Sequence, residues 1–127
     1  MNIVILGAGQ VGSELSAILA SDHDVTLIDL KQEKLIKISD HHDLKTICGN
    51  ACYPKTLEQA EIEKADLAIA MTQYDEVNMV ACQMIKHISK KTKTMARIRA
   101  TQYLGGKGSE IFEAGDYTIA VSYTHLT

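Results

Sequence analysis

The 127-residue chain sets 13 Lys and Arg against 16 Asp and Glu, a net charge of −3 at neutral pH. Such a balance leaves no cationic footprint for nucleic acid or for an anionic membrane surface, and neither is expected as a direct ligand. The length suits a single domain that buries roughly two-thirds of its unfolded surface, and the apolar runs are strand-sized, too short to span a bilayer.

The first element is read from Asn2 to Leu6, where Ile3, Val4, Ile5 and Leu6 form an apolar, β-branched run. A strand buried on both faces of a parallel sheet has that composition. Gly7, Gly9 and Gly12 follow in GxGxxG spacing with Gln10 and Val11 between them. A helix over Gln10 to Ser21 would turn Val11, Leu15, Ile18 and Leu19 to one face. Strand, glycine turn and amphipathic helix in that order give the motif its meaning. Gly7 allows the tight turn, Gly9 lets backbone amides approach a pyrophosphate, and Gly12 lets helix and strand pack closely. The helix N-terminus adds unpaired N–H groups and a positive dipole end.

A second strand, Val25 to Asp29, ends on a carboxylate placed to accept hydrogen bonds from an adenosine ribose. Lys31 reads as a surface lysine, with contact to a ribose 2′-phosphate as the alternative. A helix over Gln32 to Ser39 would turn Leu35, Ile36 and Ile38 inward, and Leu44 to Cys48 gives a third strand closed by Gly49-Asn50. Pro54 suits the first turn of the next helix, where its missing N–H costs nothing. Asp66 to Met71 is a fourth, almost wholly apolar strand. Asp75 is placed to cap a helix whose Val77, Val80, Ala81, Met84, Ile85 and Ile88 keep a 3.6-residue period. Thr94 to Arg99 reads as a fifth strand and Ser109 to Ala114 as a short helix ended by Gly115. Tyr117 to Val121 is a candidate sixth strand. Regular alternation predicts an α/β fold: a Rossmann-like, doubly wound parallel sheet in the order 3-2-1-4-5-6.

Ligands of such sheets lie outside the carboxyl ends of the strands, where the order reverses. The strand ends therefore define the candidate site: Gly7 to Gly12, Asp29-Leu30-Lys31, Gly49-Asn50-Ala51, Met71 to Asp75, and Arg97 to Arg99. Arg97 and Arg99, two residues apart, share one face of a strand. An anion such as phosphate, or a structural carboxylate from a helix, would satisfy either one.

Other patterns have plainer readings. Cys48-x3-Cys52 with His41-His42 upstream invites a metal, but Cys48 falls in a strand read as buried, where small thiols are ordinary core residues. Tyr103 and Lys107 match the Tyr-x3-Lys spacing of short-chain dehydrogenases, yet Gly105-Gly106 between them oppose the helical turn that chemistry needs. An apolar strand beginning at residue 2 leaves no room for a signal peptide, so a cytoplasmic location and three free thiols are expected.

From Met1 to about Arg99 the chain resembles the RCK or KTN family, domains that regulate potassium conductance. The matching residues are Gly7-Ala-Gly-Gln-Val-Gly12, Asp29, Gly49-Asn-Ala51, Leu57, Ala60 and Ala65-Asp66. Thr72-x2-Asp-Glu-x-Asn78 and Ala96-Arg-Ile-Arg99 complete the set. The resemblance implies one crevice for NAD(H), with ATP or ADP as further ligands. Asp29 would hold the ribose, Asn50 and Ala51 would line the adenine side, and Thr72, Asp75 and Asn78 would flank the phosphates and nicotinamide. Arg97 or Arg99 would meet phosphate. It further implies homo-oligomeric rings on the inner face of the membrane that gate a K⁺-translocating subunit. The end of the chain departs from the family: residues 1–121 match the domain, whereas 122–127 are expected to be a truncation or a foreign end.

The alternative is the cofactor half of an NAD-dependent oxidoreductase. Hydride chemistry needs an acid or base beside the nicotinamide and a pocket for the second substrate. No histidine falls at a crevice strand end, which favours a regulatory nucleotide-binding domain that is not an enzyme.

Overall fold

A computed structural model describes residues 1–103 and the strand 117–120. Six parallel strands, β1 (Asn2–Leu6), β2 (Asp24–Asp29), β3 (Lys45–Cys48), β4 (Leu67–Ala70), β5 (Lys93–Ile98) and β6 (Tyr117–Ala120), form one sheet in the order β3-β2-β1-β4-β5-β6. The helices are α1 (Gln10–Ala20), α2 (Gln32–Ser39), α3 (Pro54–Gln59) and α4 (Asp75–Ile88). The expected doubly wound order is the observed one. The helix expected over Ser109 to Ala114, its Gly115 cap, Lys107, Val121 and the 122–127 tail lie outside the described residues.

β1 shows why a continuous apolar run was needed. Its side chains alternate between the two faces, so both must be apolar. Ile3 and Ile5 pack with Val25, Leu27 and Ile69 under α1 and α2, which contribute Leu15, Leu19, Leu35 and Ile38. Val4 and Leu6 pack with Ile28 and Ile98 under α3 and α4, which contribute Leu57, Ala81 and Ile85. Ile5, Leu6, Leu27 and Ile28 are fully buried, each stabilising the fold by about 1.5–3 kcal/mol. α4 carries Asp75 and Glu76 in its first turn and Lys86 and His87 in its last, the arrangement that complements a helix dipole.

Periodicity misplaced four apolar side chains. Val11 and Ile18 of α1, Ile36 of α2 and Val80 of α4 are exposed, Ile18 at 69%. In α1 the rotation is set by Gly12, where a Cβ would stand only 2.0 Å from the carbonyl oxygen of Gly7. That contact turns Gly12 and Ser16 to the sheet and carries Val11 and Ile18 outward. Cys48 is exposed rather than buried, because β3 is an edge strand of the sheet and has no fully buried residue. Asp75 does not cap α4: Tyr74 stands at the cap position with no side-chain bond, and the Asp75 carboxylate reaches across to the chain after β5.

Candidate functional site

The carboxyl ends of β1 to β5 surround a cavity of about 650 Å³, within the size range of small-molecule sites. Its wall includes Gly7, Gly9, Gln10, Val11, Asp29, Leu30, Lys31, Asn50, Ala51, Thr72, Arg97 and Arg99, all singled out from the sequence. Gly12, Asp75 and Asn78, also expected there, do not reach it.

The floor is the glycine turn. Gly7 has φ +108°, and a Cβ there would lie 2.9 Å from the Thr72 amide nitrogen, so only glycine permits both the turn and the close strand. Gly9 is extended, at the N-cap of α1, and no side chain caps the helix. A Cβ on Gly9 would meet nothing within 4 Å, so the space over it is open for a ligand. Gln10 and Val11, the first residues of α1, line the same space, and the start of a helix is an environment suited to an anion.

Asp29 ends β2 at the rim. Its Oδ1 accepts the Ala8 amide at 2.8 Å and its Oδ2 accepts the Lys31 amide at 2.9 Å. A carboxylate offers about four lone-pair sites, so two remain for hydroxyls across the cavity. Asn50 forms a local turn by accepting the Cys52 amide at 2.8 Å. This places Asn50 and Ala51 on the β3 side of the wall, where Gly49 donates to the Asp29 carbonyl at 2.9 Å. Burial pushes the neighbouring Cys52 thiol up from its ordinary value.

On the opposite side, Arg97 is buried and its Nη2 donates to the carbonyls of Met71 at 3.0 Å and Thr72 at 2.7 Å. Neither sequence alternative for Arg97 included these carbonyls, which fix the guanidinium at the cavity edge. Asn78 is fully buried behind Thr72. Its Oδ1 accepts the Thr72 amide at 3.0 Å and hydroxyl at 2.7 Å, and its Nδ2 donates to the carbonyls of Thr72 at 3.0 Å and Arg97 at 2.8 Å. Two donors and two acceptors exhaust an amide side chain, leaving Asn78 nothing to offer a ligand. Asp75 is buried off the cavity and accepts the backbone amides of Arg99 at 3.0 Å and Ala100 at 2.7 Å. Asp75 and Asn78, expected to flank the ligand, lie off the cavity lining and bond the wall from behind.

Lys34 and Val77 also line the cavity and were missed. Each lies within the first turn of the helix after a strand end, which is the signal that could have found them. Lys31, Lys34, Arg97 and Arg99 surround a single Asp29, so the wall is cationic overall and suits phosphate. Among the described residues no group of three or more His, Cys, Asp or Glu is placed to hold a metal, and no helix is long and apolar enough to cross a membrane.

A parallel sheet wound on both faces, with a glycine turn and an anchored acid beneath a cationic crevice, defines a Rossmann-type nucleotide-binding domain. The comparisons narrow the class. The model of the TrkA-N domain matches residues 3–122, and the chain belongs to that family. The Trk system potassium uptake protein TrkA of Halomonas elongata is 42% identical over 123 residues, 96% of this chain. The chain spans only 27% of that relative's length. The fold matches the TrkA-N domain of the inner membrane protein ybaL of Escherichia coli with a TM-score of 0.82 at 19% identity, covering 98% of this chain and 89% of that one. The GsuK channel bound to NAD matches with a TM-score of 0.77 at 18% identity, over 93% of this chain and 21% of that one. GsuK bound to ADP matches with a TM-score of 0.75 at 24% identity, over 98% and 31%.

Proposed function

We propose that the crevice binds an adenine nucleotide, NAD(H) first and ADP or ATP as competitors, and that the domain regulates potassium uptake without catalysing a reaction. The observation that carries this reading is the Asp29 carboxylate, held by two backbone amides beside the open space over Gly9. A ribose bridging to Asp29 would lay its pyrophosphate over Gly9 and the amides of α1. NAD and ADP are the ligands of structurally similar GsuK, and TrkA relatives are Trk potassium uptake proteins. In the intact protein such domains would assemble as a homo-oligomeric ring, cytoplasmic and peripheral on the inner face of the membrane. The ring would gate a K⁺-translocating subunit because the nucleotide binds two assembled states with different affinity. Calorimetric titration with NADH, NAD⁺, NADPH, ADP and ATP at fixed salt tests the binding step. Saturable binding of NADH or ADP is expected; no heat from any adenine nucleotide at millimolar concentration would reject the reading.

A further inference from the structure

The crevice wall and the chain beyond β5 are both hydrogen-bonded to the first turn of α4. Thr72, on the wall, commits its amide, carbonyl and hydroxyl to Asn78, and its carbonyl also receives Arg97. Asn78 in turn holds the Arg97 carbonyl at 2.8 Å, at the end of β5. One helical turn earlier, Asp75 accepts the amides of Arg99 at 3.0 Å and Ala100 at 2.7 Å. Glu76 beside it accepts the Tyr103 hydroxyl at 2.8 Å. The segment Arg99–Tyr103 is therefore fixed to the first turn of α4, and that turn is fixed to the wall. Asn78, at the centre of these bonds, is fully buried with all four of its own made, so displacing it would leave a desolvated donor or acceptor unmade.

We propose that Asp75 and Asn78 are positioning residues forming a latch, which makes the wall at Thr72–Tyr74 and the segment Arg99–Tyr103 move as one unit. The latch deepens the nucleotide reading: a ligand that tightens the wall is felt at the lead-in to the last strand. Coupling of this kind is reciprocal, so loosening the segment weakens the ligand. The Thr72 carbonyl is the pivot, because the Asn78 amide and the Arg97 guanidinium converge on it from α4 and β5.

Residue-resolved hydrogen exchange on the wild type and on Asp75→Ala, with Asp75→Asn as the milder change, tests the latch. In ligand-free protein, Asp75→Ala removes the acceptor of Arg99 and Ala100, so both amides must exchange faster. The latch adds that Thr72 and Tyr74 accelerate as well, by roughly tenfold. Acceleration confined to Arg99 and Ala100 would show a merely local bond and overturn the proposal. With ADP as the probe, wild-type Arg99 and Ala100 should be protected and the variants' amides should not. ADP affinity should fall at least roughly fivefold in Asp75→Ala. Protection at Ala8 and Gly9 without any at Arg99 and Ala100 would equally overturn it. Failure of ADP and NADH to bind the wild type would strike the nucleotide reading, and the ligand-free arm would still decide the latch. Should Asp75→Ala not fold, Asp75→Asn, which keeps one acceptor oxygen, must show the same acceleration at smaller size.

Discussion

The Asp29 carboxylate and the Ala8 amide, 21 residues apart, meet at 2.8 Å across the ends of β2 and β1. With the Lys31 amide on its other oxygen, Asp29 ties the glycine turn to the start of α2. The acid thus shapes the crevice before any ligand arrives.

That double duty sets the outcome of Asp29→Asn. The new amide would turn its NH₂ toward one of the two backbone N–H groups, leaving that donor unpaired. Such a loss costs about 1–3 kcal/mol, visible as a lower melting temperature. Asp29→Asn should also weaken NADH, because bonds from ribose hydroxyls to a charged acceptor contribute about 1.5–3 kcal/mol. NADPH, whose 2′-phosphate would meet the carboxylate as like charge, should bind the wild type poorly, and the gap to NADH should narrow in the variant. Calorimetry and thermal melts read both effects; a wild type that prefers NADPH would remove Asp29 from the ribose.

The glycines separate fold from binding. Gly9→Ala adds a methyl where nothing lies within 4 Å, so the domain should stay folded with near-normal stability. The same methyl enters the space proposed for the pyrophosphate, and NADH affinity should drop by roughly tenfold, the equivalent of about 1.4 kcal/mol. Gly12→Ala instead drives a Cβ to 2.0 Å from the Gly7 carbonyl oxygen. α1 would have to lift from β1, at a cost on the order of 3 kcal/mol or more. A melting temperature that falls for Gly9→Ala and not for Gly12→Ala would reverse these roles.

Strand order and crevice were legible because they rest on period and topology. An apolar run with no alternation, as in Ile3 to Leu6, demands two covered faces, and the point of reversal follows from the order. What failed was the rotation of helices and the direction of polar side chains. Ile18 and Val80 obey a helical period yet face outward; for α1 the deciding contact, Gly12 on Gly7, is a backbone approach no hydrophobic pattern encodes. Asn78 lies one turn beyond a strand end, where ligand contacts are common. In the fold, Thr72 and Arg97 take all four of its bonds. Reading Cys48 as core overlooks that the expected order 3-2-1-4-5-6 already puts its strand at the sheet edge, where the thiol is exposed.

Tyr103 gives a pH signature for the corner after β5. Its hydrogen bond to Glu76, then the repulsion of that charge, holds the phenol above its ordinary range. A folded-state value raised above the unfolded one favours the neutral phenol. The contribution is therefore complete below about pH 10 and disappears as pH rises through the folded-state value. NMR of ring-labelled tyrosine should show Tyr103 titrating above the ordinary phenol range. In Glu76→Gln it should return toward the ordinary range; no movement would mean that the Tyr103–Glu76 bond is absent in solution.

A regulatory domain should transfer no hydride. Incubation with NADH or NAD⁺ and a panel of 2-oxo and 2-hydroxy acids should leave the nicotinamide absorbance unchanged. Turnover that survives repurification and disappears in Gly9→Ala would restore the oxidoreductase reading.

The most direct measurement is an amide-resolved NMR titration of the domain with NADH. The proposed pose requires saturable shifts at Ala8, Gly9 and Gln10 under the pyrophosphate, at Lys31 beside the ribose, and at Asn50 and Ala51 on the adenine side, all with one dissociation constant. Shifts clustered away from these amides, or none at saturating nucleotide, would contradict a nucleotide site in this crevice.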